Sequence, residues 1–352
     1  MAAAGYPVPR AVCGRADPCG GASFARMQVA VTGGTGFVGA HAVRALTEAG
    51  HHVRLLARDE AAAAASLAPL GVDRSSFDLI RGDVCDPDAV ERLLDGAESV
   101  AHCAGVVGVD DRNEADMWRV NVHATATVLT KAVSAGLDPI VHLASYSALF
   151  PAPTELIGPD SPITEGRSAY ARTKGAGARI ARGFADAGAP IVVLYPSGIV
   201  GPPAGPRAGL AAEGWAPLLR FGVSVSFPGG MALIDVRDVA ELIVKVMEPG
   251  GGPRQLVCGG ETLSFDEIVD ELSEATGKRI RRIPVSARTL KGIGRTVDAL
   301  SKVVPVPPVF TYEAAWLLTT AQRTDDTASL EVLGHPWRST RKALRDAVAA
   351  GS

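Results

Sequence analysis

The sequence predicts an α/β protein: a doubly wound parallel sheet with a smaller C-terminal lobe. Three observations lead there. Strand and helix signals alternate from residue 27 to about residue 200, as parallel strands joined by crossover helices require. A glycine-rich turn, Thr32-Gly-Gly-Thr-Gly-Phe-Val-Gly39, stands between the first strand and the first helix. Beyond Pro196 the alternation stops, and helical and extended segments mix.

The elements follow in order. Gln28–Val31 alternates as a short strand, and Ala40–Ala49 reads as a helix stopped by Gly50. His52–Arg58 is a second strand, followed by an alanine-rich helix over Asp59–Leu70. Phe77–Ile80 is a third strand ending at Arg81-Gly-Asp83, and Pro87–Leu94 is helical. Glu98–His102 is a fourth strand, running into Cys103-Ala-Gly105. One long helix covers Asp116–Ala135, then Pro139–Leu143 is a fifth strand ending at Ala144-Ser145. Ser168–Ala187 is helical and Ile191–Tyr195 a sixth strand. Gly201–Pro206 is a loop by composition. Arg254–Cys258 reads as one more strand. A helix beginning near Leu263 has Ser264 as its cap, with Glu267 three residues on.

Composition bounds the function. With 352 residues the chain can bury a large core, and 47% apolar with 21% charged residues suits a soluble enzyme. A net charge of −3 and no basic stripe with interleaved aromatics argue against a nucleic-acid partner. The five cysteines are scattered and odd in number, which points to a reducing, cytoplasmic compartment. The spacing of Cys13 and Cys19 lacks the partners of a zinc site, so no metal is expected. No apolar run reaches the length of a membrane span. Residues 1–26 lack the apolar core of a secretory signal and read as a disordered extension. Residues 27–200 are then a cofactor-binding domain. Residues 201–352 are mostly a substrate lobe, with segments around 232–260 returning to the core.

The glycine turn suits a dinucleotide. Gly33 and Gly36 let the backbone turn tightly and approach a pyrophosphate, and Gly39 lets the helix pack close to the strand. The helix N-terminus offers free N–H groups and partial positive charge. Thr35, Phe37 and Val38 complete the phosphate-facing turn.

A second constellation carries chemistry. Tyr170 and Lys174 stand at i, i+4 on one helix face, and Ser145 follows the fifth strand. A tyrosine working near neutrality must lose about three pKa units, or about 4 kcal/mol. A lysine ammonium at about 4 Å supplies roughly that at an effective dielectric near 20. Lys174 is therefore expected to depress the pKa of Tyr170, while Ser145 holds a substrate oxygen.

On these residues the chain resembles the extended short-chain dehydrogenase/reductases, the NAD(P)-dependent epimerase/dehydratase superfamily. Thr32–Gly39 looks like their T-G-x-x-G-x-x-G loop, and Ser145 with Tyr170-Ala-Arg-Thr-Lys174 like their catalytic Ser and Y-x-x-x-K. The resemblance implies a Rossmann fold and makes Asn121 a fourth catalytic residue that shapes a water path to Lys174. It also implies cofactor contacts at Asp83 and Val84, at Cys103, Ala104 and Gly105, at Pro196 and Ser197, and at Tyr170 and Lys174. The helices Asp116–Ala135 and Ser168–Ala187 are similar to those of the family's dimer contact, which implies a homodimer. Ala124, Ala144 and Tyr195 depart from the pattern, standing where Gly, Ser and Arg are usual.

Cofactor choice is read at the second strand's end. Ala57 stands where NAD-selective members carry an acid, and Arg58 suits a 2′-phosphate. Val53–Asp59 is similar to the dihydroflavonol reductase and 3β-hydroxysteroid dehydrogenase branch, so NADP(H) is the expected preference. NAD(H) is the alternative, because Asp59 could meet the ribose. Ser145-Tyr-Ser147 lacks the acidic pair of the dehydratases. The expected activity is hydride transfer at a small, hydrophobic ketone or alcohol. Two alternatives stand: an NAD-dependent nucleotide-sugar epimerase, and a non-catalytic NADP-sensing protein. Trp215, Trp316 and Phe310 are read as core packing, with the lining of an apolar pocket as the alternative.

Overall fold

The computed structural model of the chain describes residues 26–108, 113–207, 209–300 and 312–349. The extension expected over the first residues, and Phe310, lie outside them. A seven-stranded sheet forms the centre. In chain order its first strands are β1 (Gln28–Thr32), β2 (His52–Ala57), β3 (Phe77–Arg81), β4 (Ser99–His102) and β5 (Ile140–Leu143). After the short β6 (Leu156–Ile157) come β7 (Ile191–Pro196), β8 (Gly198–Val200), β9 (Val223–Ser226), β10 (Gly230–Asp235), β11 (Arg254–Cys258), β12 (Glu261–Ser264), β13 (Arg281–Pro284) and β14 (Arg323–Thr324). The main sheet runs β11-β7-β5-β4-β1-β2-β3, and every pairing in it is parallel. The order reverses between β1 and β4, which opens a crevice at the strands' carboxyl ends.

Helices cover both faces because the strands are apolar on both. Val29 and Val31 join one core with Val53, Leu55 and Val141, under α1 (Phe37–Glu48) and α8 (Val236–Lys245). Ala30 points the other way and joins Leu56, Val100 and Ile140. That face lies under α3 (Pro87–Leu94), α5 (Thr125–Ser134) and α6 (Ala169–Asp186), α2 (Glu60–Leu67) having followed β2. In α6 the buried stripe is mostly small, with Ala171, Gly175, Gly177, Ala178 and Ala181, so this helix lies close on the sheet.

Two expected helices differ. The first begins at Phe37 rather than Ala40, because the loop's last glycine is already helical. The long helix is not continuous: α4 (Glu114–Trp118) gives way to a π-helical stretch, Arg119–Ala124, before α5. Asn121 sits in that wider turn, a common mark of a functional position. The expected cap is found, with Ser264 and Glu267 forming a reciprocal box at α9 (Phe265–Thr276). With α7 (Leu210–Phe221), α10 (Ala287–Leu300) and α11 (Tyr312–Thr319), α9 builds a smaller lobe. Trp215 lies in its core with Leu263 and Ile268. α12 (Thr327–Leu333) and α13 (Thr340–Ala349) close the chain.

Candidate active site

The glycine loop is bound to its shape by contact. Gly33 has φ +74°, and a Cβ there would fall 2.5 Å from the Ala104 nitrogen. A Cβ on Gly39 would fall 2.1 Å from the Gly33 carbonyl oxygen. α1 therefore starts against the turn. Gly36 caps it without a side-chain acceptor, and its first turn holds no acid. The leading N–H groups and the positive helix end are left for an anion. Thr35, Phe37 and Val38 line this end, half-buried. A dinucleotide's pyrophosphate fits that chemistry.

At the neighbouring strand ends, Arg58 does not stand free. Its guanidinium lies 3.8 Å from the Asp83 carboxylate and its side chain is 79% exposed. Asp59 caps α2, accepting from the Ala61 N–H at 3.0 Å. Burial pushes the Asp83 carboxyl up, but hydrogen bonds from Cys85 and the Arg58 charge outweigh it and hold the group below its ordinary value. Val84 follows, packed on the core.

Ser145 follows β5 and is buried. Its hydroxyl accepts from the Ser147 hydroxyl at 3.0 Å and meets the Tyr170 phenol. Ser168 caps α6 through the Ala171 N–H, which places Tyr170 in the first turn and Lys174 one turn on. Lys174 Nζ donates to the Leu143 carbonyl at 2.9 Å, and burial lowers its pKa to about 8. The expected depression of the Tyr170 pKa is not found: burial raises it above its ordinary value, against a hydrogen bond with Ser145 that lowers it. The ammonium is turned toward the sheet.

Asn121 is fixed by three hydrogen bonds. Its Oδ1 accepts from the Val106 N–H at 2.8 Å, and its Nδ2 donates to the Val106 carbonyl and to Thr173 Oγ1. It clamps the loop after β4 against α6. A Cβ on Gly105 would lie 3.3 Å from both Asn121 Oδ1 and Lys174 Nζ. Cys103, Ala104 and Gly105 thus run between the glycine turn and Lys174. Pro196 ends β7, and Ser197 Oγ donates to the Gly259 carbonyl at 2.7 Å, so Ser197 ties the crevice wall to β11.

Sequence reading missed a buried polar pair beneath Lys174. His102 lies between Thr32 Oγ1 at 2.7 Å and Thr125 Oγ1 at 3.0 Å. It stacks on His142 with ring centroids 5.4 Å apart. No local pattern marks two histidines on separate strands as neighbours. A cavity of about 280 Å³ opens beside Ser147, lined by Phe150, Pro151, Arg167, Ala171 and Trp316. Trp316 packs edge-on to Phe150 and under the Arg167 guanidinium, so it forms a cavity wall as well as packing. Among the described residues no three His, Cys, Asp or Glu side chains gather as a metal would need.

The family described as "NAD dependent epimerase/dehydratase family" matches residues 29–259. The chain belongs to that family. It is an NAD(P)-dependent oxidoreductase of the extended short-chain dehydrogenase/reductase superfamily. Among curated relatives, sterol demethylase protein B of Methylococcus capsulatus is 31% identical over 332 residues, spanning 92% of this chain and 98% of its own. Ceramide reductase of Caulobacter vibrioides is 30% identical, spanning 82% and 83%. In fold, the family member resembles the UDP-glucuronic acid 4-epimerase of Bacillus cereus, with TM-score 0.71, 19% identity and coverage of 92% and 99%.

The cofactor expectation is overturned by these neighbours. The Bacillus cereus epimerase, MoeE5 and the Bordetella bronchiseptica enzymes WbmH and WbmG were all solved with NAD. The preference for NADP(H) built on Arg58 does not stand. The physical reason is its surroundings: the guanidinium is solvated and already beside a carboxylate, which would oppose a second anion.

Proposed function

We propose that this chain is an NAD-dependent enzyme moving hydride at a secondary alcohol carbon of a small substrate, with Tyr170 as acid/base. A run of contacts supports it. Gly33 abuts Ala104, Gly105 abuts Lys174 and Asn121, and Tyr170 meets Ser145. The anion-suited turn and the proton-handling groups therefore share one wall of the crevice. NAD, when bound, supplies the hydride acceptor. Gly33, Thr35, Gly36, Phe37, Val38 and Gly39 would hold its pyrophosphate, with Asp83 and Val84 beside the adenine. Cys103, Ala104, Gly105, Pro196 and Ser197 would flank the nicotinamide half. Ser145 would hold the substrate oxygen, Tyr170 take and return its proton, and Lys174 balance the phenolate charge.

The solved neighbours weigh toward epimerisation. MoeE5 was captured with UDP-glucose and NAD, and the Bacillus cereus enzyme with UDP-glucuronic acid and NAD. In this reading the chain keeps NAD, and hydride returns to the same carbon from its other face. A second reading, net reduction or oxidation, has one specific observation behind it. The cavity beside Ser147 is walled by Phe150, Pro151, Trp316 and Leu317, and relatives are named for a sterol and a ceramide.

Native mass spectrometry separates the two readings. Protein that retains NAD and makes no net NADH from alcohols supports epimerisation. Protein that purifies empty and turns over added NAD supports the second reading. Tyr170→Phe should bind NAD normally and lose about 100-fold or more in turnover; full activity in that variant sinks both.

A further inference from the structure

The C-terminal lobe presents a face that the proposed chemistry does not use. Of the eight large apolar side chains exposed among the described residues, five belong to this lobe: Phe221, Val223, Ile283, Ile293 and Leu300. Phe221, at the end of α7, is 71% exposed. β9 and β13 pair in parallel, with Val223 opposite Arg281 and Val225 opposite Ile283. Partners in register point to one side of a sheet, so Val223, Arg281 and Ile283 share a face. Arg220 lies over the Phe221 ring at 5.6 Å. α10 follows β13 after Val285 and Ser286. Its Leu290 packs inward against the cluster of Phe227, Phe265 and Ile280, while Ile293, Leu300, Arg288 and Arg295 are exposed.

The charge is one-sided. Between Lys278 and Arg295 stand seven Lys or Arg and no acid, in a chain of net charge −3. The acids of the neighbouring α9 are engaged: Asp266 and Asp270 pair with Arg282, and Glu267 and Glu271 with Arg341. Arg279, Arg281, Arg288 and Lys291 have no ion-pair partner among the described residues.

Two chemistries together select the partner. The cations call for an anionic partner, and the 71% exposed Phe221 for one that also takes up apolar side chains. An anionic lipid surface answers both, since headgroups meet the cations while apolar side chains enter the interfacial zone. We propose that this face docks the protein peripherally on an anionic bilayer. No helix among the described residues is long and apolar enough to cross one, so the contact is one-sided. The docked face adjoins the substrate cavity, because α10 packs on α11 and Trp316 and Leu317 of α11 line that cavity. Docking does not depend on which reaction the site performs.

The test is co-sedimentation of the full chain with vesicles of two parts phosphatidylcholine to one part phosphatidylglycerol, and with phosphatidylcholine alone. Each cation at such a surface contributes about fivefold in partitioning. Arg281→Ala with Arg288→Ala should therefore lower binding by roughly 10-fold to 30-fold. Phe221→Ser with Ile283→Ser should also weaken it, at exposed positions that leave the fold and NAD affinity intact. Three results overturn the proposal: no sedimentation with anionic vesicles, equal binding to neutral ones, or binding unchanged in the Phe221/Ile283 variant. Size-exclusion light scattering adds a fourth. A dimer that the same variant converts to monomer assigns the face to a second copy instead.

Discussion

Lys174 donates to the main-chain carbonyl of Leu143 at 2.9 Å, across the gap between α6 and the end of β5. This bond ties the helix that carries Tyr170 to the strand that leads into Ser145.

Burial lowers Lys174 from 10.5 to about 8. The folded state then binds this proton less well than the unfolded chain does. The resulting destabilisation is fully present below about pH 8 and fades as pH rises toward 10.5. Lys174→Met should therefore stabilise the fold at pH 7 by about 2–3 kcal/mol while abolishing turnover. Urea unfolding at pH 7 and pH 10 reads this directly, and a variant less stable than the parent at pH 7 contradicts it.

The buried histidines set the acid limit. Burial, with the nearby Lys174 charge, lowers His102 to about 3, and burial with His102 and Lys174 lowers His142 well below its ordinary value. Between about pH 3 and 6.5 the unfolded chain takes up protons that the folded chain refuses. Stability should fall by about 1.4 kcal/mol per pH unit for each histidine as pH drops below about 6.5. His142→Phe should reduce that slope by about 1.4 kcal/mol per pH unit, measured as urea midpoints from pH 7 down to pH 5.

Gly33 and Gly50 make a matched pair. Both have positive φ, +74° and +87°, but only Gly33 has backbone where a Cβ would go. Gly50→Ala should cost about 1–2 kcal/mol of stability through its conformation alone. Gly33→Ala should cost more and weaken NAD binding at least about tenfold, because the loop must move from Ala104. Isothermal titration of both variants with NAD checks the difference; equal affinities would falsify the role of Gly33.

Arg58→Ala should leave NAD affinity within about twofold, since its ion pair is exposed and weak. A tenfold loss for NAD would show that the guanidinium holds the cofactor after all.

Much of the fold was legible because its signals are local. The capping box at Ser264 and Glu267 could be read from two residues three apart, and the strand–glycine–helix unit from the continuous run Gln28–Ala49. The π-helical break at Asn121 could not, because no local spacing marks it. The reason for the break is distant: Asn121 reaches Val106 and Thr173. The His102–His142 stack was hidden for the same reason, each histidine looking like an ordinary strand-end residue.

What the sequence by itself determined was which groups are present and how neighbours along the chain are spaced. Glycine's freedom of backbone and the i, i+4 step from Tyr170 to Lys174 are properties of the chain alone. Only the tertiary structure decided which charges meet. It put Arg58 beside Asp83, tied Lys174 to Leu143, and half-buried Tyr170 so that its pKa rises. Protonation and ion pairing depend on burial and on partners far off in sequence, so no reading along the chain could have assigned them.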